Sequence, residues 1–383
     1  MDVRPVNNHS EVMDINISIG LHNIQEVDIV KGVLTVSIST FVSWFDQRMV
    51  WNPAEFGGIT KIRISMKEVW TPPITLLNPV EFTTMGNPNS YVIYYYSGLA
   101  VFLPAGVIRS FCNFNTKYWP FDKQMCDIAF APMDYMTDEV QLHITTPAIN
   151  TAFFVPNPEW TLDGTSYYTS NPYTLSTAHF RLKLKRQSLF YILTVILPVV
   201  GIGSLAGLVF LLPSECGERV SFTVTILVAL AVFLTVVEDH LPKSSEPVSL
   251  MCTFVLTGIL TNCAGCVFVV LNLTIFHRDE SVPKMKWHTS IVRISQCKRK
   301  NRGMYAIRME QSEEFRPSQN NEVIKTKPTK VNQTEVNGDE VVTWRDVSKA
   351  IDRVMMYIMI IVGSVPVPIL MIYISALSEY PET

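Results

Sequence analysis

The sequence predicts an extracellular all-β sandwich followed by a transmembrane four-helix bundle. Period-two alternation in the first half predicts the sandwich, and four long uncharged runs in the second half predict the bundle. Composition agrees: the 383 residues are 48% hydrophobic, 11% aromatic and 17% charged, against about 25% charged in a soluble domain. Whole-chain disorder is excluded by that hydrophobicity. A net charge of −3 argues against a basic nucleic-acid binder.

In residues 1–187, Leu34, Val36 and Ile38 alternate with Thr35, Ser37 and Ser39. Ile62, Ile64 and Met66 alternate with Lys61, Arg63 and Ser65, and Phe180, Leu182 and Leu184 with Arg181, Lys183 and Lys185. One apolar face at period two marks half-buried strands. Asn52-Pro53, Gly57-Gly58, Gly86-Asn87-Pro88 and Asn171-Pro172 read as turns, and Asp163-Gly164 as a hairpin turn. Many short strands with turns between them suggest a sandwich. Arg181 to Arg186 leads almost directly into the first apolar run, a stiff joint.

The apolar runs are Leu189 to Leu212, Val220 to Val237, Val248 to Phe276 and Met355 to Leu377. Each approaches or exceeds the ~20 residues that cross a bilayer. Lys284, Lys286, Arg293, Lys298, Arg299, Lys300, Arg302 and Arg308 follow the third run and place that loop in the cytoplasm. The N-terminal half and the C-terminal tail then lie outside, in a multi-pass plasma-membrane protein. The expected division is 1–187 extracellular sandwich, 188–277 spans one to three, 278–353 cytoplasmic loop, 354–377 fourth span and 378–383 extracellular tail. The topology requires a leader, so the numbering is expected to start at a processed or trimmed end. Cys112 and Cys126 are the two cysteines of the outer half and are free to oxidise there. Cys263 and Cys266 lie within the third run and read as helix filler, and no metal site or cofactor is expected. Asn8 and Asn16 are sequons on the glycosylated side; Asn272 and Asn332 are not. Within the loop, Lys284 to Ile294 reads as a short interfacial helix and Ser312 to Gly338 as disordered. Thr343 to Tyr357 reads as a helix continuing into the fourth span.

Cys112 and Cys126 enclose thirteen residues that contain Trp119-Pro120-Phe121-Asp122. This resembles the Cys-loop of pentameric ligand-gated ion channels, and nicotinic acetylcholine receptor subunits are most similar. The likeness extends to Trp44-Phe-Asp46, Trp51-Asn52-Pro53, Trp70-x-Pro72, Pro198 and Gly217-Glu218-Arg219. It implies a homo- or hetero-pentamer, with four further subunits around a pore and ligand sites between outer domains. Membrane lipids and permeant cations are the other partners. It further implies that the Trp119-Pro120-Phe121 tip presses on the membrane part near Lys243 to Pro247, and that Arg219 points away from the pore and pairs locally.

The second run supports a pore independently. Glu218, Ser221, Thr225, Val228, Val232, Thr235 and Asp239 alternate spacings of three and four, one stripe of a helix. Around an axis this stripe would place carboxylate rings at both mouths and an apolar girdle between them, favouring cations and closing by dewetting.

The nicotinic agonist box is largely missing. Its aromatic positions fall on Leu77, Met133 and Ser39; Tyr135 is retained, and the vicinal cysteines are replaced by surroundings of Tyr167, Tyr168 and Tyr173. Ile93, Val101 and Leu103 are expected to face these residues from the neighbouring subunit. Each lost ring removes about 0.5–2 kcal/mol of cation–π attraction, so the expected agonist is an amphipathic organic molecule rather than acetylcholine. The expected function is a ligand-gated cation channel subunit, the alternative being an accessory subunit that conducts only in hetero-pentamers. An enzyme is not expected: His9, His22, His143 and His179 accompany no nucleophile motif, and Glu159 with Asp163 is a weak carboxylate pair.

Overall fold

The computed structural model describes residues 3–81, 89–243, 247–283, 288, 290–292, 342–364, 369, 373 and 380. The expected turn at Gly86-Asn87-Pro88, the eight basic residues that orient the chain, the stretch from Ser312 to Gly338 read as disordered and the sequon at Asn332 lie outside them. The chain divides into two compact units: residues 1–203, 228–260 and 364–383, and residues 204–227 and 261–363.

The first unit holds two sheets. A seven-stranded sheet runs in the order β3 (Lys61–Ser65), β5 (Tyr91–Tyr95), β6 (Ser97–Phe102), β2 (Val33–Val50), β1 (Met13–Asp28), β9 (Val140–Asn150), with β7 (Ala105–Phe111) also on β2. The other sheet orders β10 (Trp160–Ser170), β11 (Thr177–Arg186), β8 (Lys123–Pro132), β4 (Ile74–Leu76). The expected alternation holds: Leu34, Val36, Ile38, Phe180, Leu182 and Leu184 are fully buried. Trp44 meets Trp70 edge-on at 5.8 Å and Phe130 meets Phe180 at 6.0 Å, the geometry that aromatic quadrupoles favour.

One turn assignment is corrected. Asp163-Gly164 lies inside β10, where the register with β11 shifts between Leu162 and Gly164. Asp163 is the extra residue of a bulge, and the hairpin turns instead at Pro172–Thr174. Asn52 behaves as expected, accepting from the Ala54 N–H ahead of a short 3₁₀ turn that Gly57 closes at φ 65°.

Cys112 and Cys126 are disulfide-bonded, with Cα atoms 5.3 Å apart. Closing a loop of about 15 residues stabilises by ~3 kcal/mol in the chain-entropy model. Cys112→Ser/Cys126→Ser should therefore remove most assembled protein from the cell surface. Surface labelling with native gel analysis checks this, and normal pentamers from the double variant would contradict it.

The helices are α1 (Leu189–Leu211), α2 (Arg219–Asp239), α3 (Leu250–Phe276) and α4 (Trp344–Ser364). The first three are long and apolar enough to cross a membrane. Pro198 has no N–H for the carbonyl a turn earlier, and α1 relaxes into a π-helical stretch at Ile192–Ile196. Thr343 and Asp346 form a reciprocal capping box, 2.7 Å between side chains, from which α4 runs unbroken through Tyr357, as its sequence predicts. A Cβ on Gly207 would lie 2.6 Å from Ile360, so glycine lets α4 approach closely. Of the expected interfacial helix, residues 288 and 290–292 are described. They are helical, and His288 and Val292 are buried, His288 against Trp344 at 4.8 Å.

Candidate functional site

The expected agonist residues fall into two groups on the first unit. Ile93 and Val101 are cross-strand partners on β5 and β6, Leu103 follows two residues on, and Ser39 pairs with Ala105. These four share a face of the large sheet, with Leu103 exposed, Ile93 and Ser39 half-buried and Val101 buried. The second group lies around the smaller sheet: Leu77 beyond β4, Met133 and Tyr135 beyond β8, and the three hairpin tyrosines.

The Asp163 bulge sets the hairpin's facing. Beyond it Tyr167 pairs with Phe180 and Tyr168 with His179, so adjacent tyrosines occupy opposite faces. Tyr168 stacks on His179 at 4.4 Å, donates to Asp127 at 2.8 Å and lies under Arg181 at 5.1 Å. Arg181 forks onto Asp127 at 2.6 and 2.8 Å. Burial pushes the Asp127 carboxyl up, but the Arg181 guanidinium and Tyr168 hydroxyl outweigh it and hold it below the usual carboxylate range. Burial likewise pushes His179 down. Tyr173 sits at the tip, fully exposed at φ 51°.

Tyr135 is engaged within its own domain. Its hydroxyl accepts from the Trp70 indole at 3.3 Å, and the Arg4 guanidinium lies 6.0 Å from its ring. Met133 is exposed and Leu77 half-buried. A separate cavity of about 370 Å³, lined by Thr40, Val42, Ile74, Phe102 and Ile108 among others, includes none of the expected agonist residues.

At the membrane end of the sandwich, Trp119 is buried against Tyr191 at 5.2 Å and His240 at 6.1 Å. The Leu250 N–H donates to the Lys117 carbonyl at 3.0 Å. The Cys-loop tip thus meets the ends of α1, α2 and α3; part of the expected contact region, residues 244–246, is outside the described residues. Arg186, 3% exposed, donates to Asp122 at 2.8 Å and to Glu159 at 2.5 Å and lies 4.1 Å over Trp160. Tyr191 also donates to Glu159, at 3.0 Å. Glu159 therefore serves this joint rather than a carboxylate pair with Asp163, whose partner is the Tyr380 hydroxyl. Sequence reasoning missed Arg186 as a network centre; its apolar-face register, in step with Leu182 and Leu184, was the available signal.

The seven stripe residues, Glu218 just ahead of α2 and six on it, are all exposed, Val228 at 58% and Val232 at 56%. Arg219, Thr223, Ile226, Leu230 and Val237 form a buried row, about 160° around the helix at 3.6 residues per turn. Thr225 and Thr235 hydroxyls donate to carbonyls of their own helix at 2.9 and 2.7 Å, leaving lone pairs outward. Asn8 sits in an exposed turn, while Asn16 is half-buried in β1 between Ser43 and His143.

Residues 1–188 match the neurotransmitter-gated ion-channel ligand binding domain, and residues 195–342 the neurotransmitter-gated ion-channel transmembrane region. An acetylcholine receptor subunit alpha-type acr-16 from Caenorhabditis briggsae is 30% identical over 288 residues, 74% of this chain and 58% of the relative. From Gallus gallus, a neuronal acetylcholine receptor subunit beta-4 is 31% identical over 74% of this chain and 61% of its own length. The beta-3 subunit of the same species is 29% identical over 74% and 64%. The chain spans about three-fifths of the length of these curated relatives.

Proposed function

Because the chain belongs to the neurotransmitter-gated ion-channel family, a family of membrane-spanning ligand-gated channels rather than enzymes, we propose that it is a pore-forming, cation-selective subunit of a pentamer. Its agonist site lies between subunits and takes an amphipathic organic ligand. What carries the pore reading is α2: acid, hydroxyl, valine, hydroxyl and acid follow one another along its exposed side, opposite the buried row. Five copies would stack Glu218 at the inner mouth, Val228 and Val232 as a girdle, and Asp239 with Glu238 outside. Carboxylate rings attract cations and repel anions.

The agonist reading is supported by what occupies Tyr135, the retained ring, and Tyr168 of the hairpin. Tyr135 already has Arg4 and Trp70, and Tyr168 has Asp127, His179 and Arg181, so neither ring is left open for a quaternary ammonium. Met133, Tyr167 and Tyr173 are exposed and Leu77 is half-buried, and an apolar and aromatic set of this kind suits an amphipathic molecule. Thermal-shift screening of purified pentamers identifies such a ligand, because a site-specific binder stabilises by mass action. The same losses favour a second reading, a subunit that conducts only in hetero-pentamers; expression of this chain alone with a cation-flux assay separates the two.

The selectivity test is the reversal potential of spontaneous and ligand-evoked currents across a sodium chloride gradient. It should follow cations, and Glu218→Gln should lower conductance and move it toward chloride. Reversal that follows chloride in the unmutated channel would overturn the reading.

A further inference from the structure

Arg219 immediately follows Glu218, and an unopposed guanidinium there would cancel much of that carboxylate's field. Its side chain is instead 3% exposed and forks onto Asp352 of α4, with both N–O distances 2.9 Å. Its Nε also donates to the Leu212 carbonyl at 2.8 Å. Asp352, 7% exposed, is held from its other side by the Asn272 amide at 2.7 Å, and that amide also donates to the Ser348 carbonyl at 3.3 Å. A residue 133 positions away thus supplies the counter-charge for the base that follows Glu218 in sequence.

We infer that Asp352 sets the electrostatic potential at the inner mouth by neutralising Arg219, and is in that sense a selectivity-determining residue that never meets the permeant ion. The inference rests on the reading of Glu218 as the inner carboxylate ring. Arg219 remains charged in a protein, so only a partner carboxylate can cancel it. A bidentate, largely desolvated pair does so at short range and leaves Glu218 unopposed toward solvent. Asn272 locks the Asp352 carboxylate in the orientation that the fork requires.

Cys216, exposed two residues before Glu218, is a built-in reporter of this potential. Purified full-length protein in nanodiscs is treated with a cationic or an anionic methanethiosulfonate of similar size, and Cys216 modification is timed by peptide mass spectrometry. The ratio of the two rates cancels the thiolate fraction and reads the local potential. This readout needs no agonist and no open channel, so a failed ion-selectivity measurement leaves it intact. Asp352→Asn keeps the side-chain shape and should lower the cation-to-anion ratio about threefold at low ionic strength, the effect of one uncompensated unit charge near the thiol. Arg219→Gln should raise the ratio, and the double variant should return close to the unmutated value. All differences should shrink in strong salt, where the Debye length falls to about 3 Å; a purely structural lesion would not respond in this way. An unchanged ratio in well-folded Asp352→Asn overturns the inference. Should that variant fail to fold, Arg219→Gln is compared with Arg219→Gln/Asp352→Asn: a lower ratio in the double variant supports the inference, and equal ratios overturn it.

Discussion

Arg186→Gln should be the most damaging single substitution in the sandwich. Arg186 and Asp122 are 3% and 1% exposed, and the guanidinium is the buried counter-charge of Asp122 and a partner of Glu159. Removing one member of a buried pair leaves an uncompensated charge at a cost of about 3–5 kcal/mol. For a domain of this size that lowers the melting temperature by about 10 °C. The measurement is thermal unfolding of the detergent-purified protein, followed by size-exclusion fluorescence. Adding Asp122→Asn to Arg186→Gln should recover part of the loss, because the orphaned carboxylate is then gone. Arg186→Lys should fall between, since one ammonium cannot fork to Asp122 and reach Glu159 as well. An unchanged melting temperature in Arg186→Gln would show that the network contributes little. Because Arg186 ends β11 and Trp119 packs on Tyr191 and His240, the same variant should also blunt any ligand-evoked opening in the protein that does reach the surface.

The second large effect is expected at the girdle. Val228 and Val232 stand one turn apart and exposed on α2. A closed apolar constriction excludes water because water inside it finds too few hydrogen-bond partners. Val228→Thr and Val232→Thr nearly keep the side-chain outline and supply those partners, so each should raise spontaneous cation leak without ligand, and the double variant more so. Ala231→Thr is the control. Ala231 is also exposed, but it sits about 90° from the stripe's centre on the helix. It therefore separates position on the stripe from mere exposure. Leak from Ala231→Thr equal to that of the valine variants, or none from the double variant in well-expressed protein, would remove the gate from these two rings.

Local pattern carried most of the architecture. The alternating faces of β2, β3 and β11 place their apolar sides in the core because strand side chains repeat every two residues. The uncharged runs within α1, α2 and α3 follow from a bilayer that admits no unpaired charge, and the single stripe along α2 follows from 3.6 residues per turn. The cysteine pair was legible because no other cysteines compete with it in the outer half.

What stayed illegible depends on contacts made far along the chain or on a single inserted residue. Asp163-Gly164 has the composition of a hairpin turn, yet the pairing of Trp160 with Arg186 and of Tyr167 with Phe180 continues on either side of it. The bulge it forms exchanges the faces of Tyr167 and Tyr168, an outcome that a period-two pattern cannot anticipate because one extra residue inverts every facing beyond it. Arg186 with Asp122 and Glu159, and Arg219 with Asp352 and Asn272, read in sequence as scattered charges. Folding brings each set within hydrogen-bond distance and takes Arg186, Asp122, Arg219 and Asp352 out of water, where a charge is tolerated only with its partner in place.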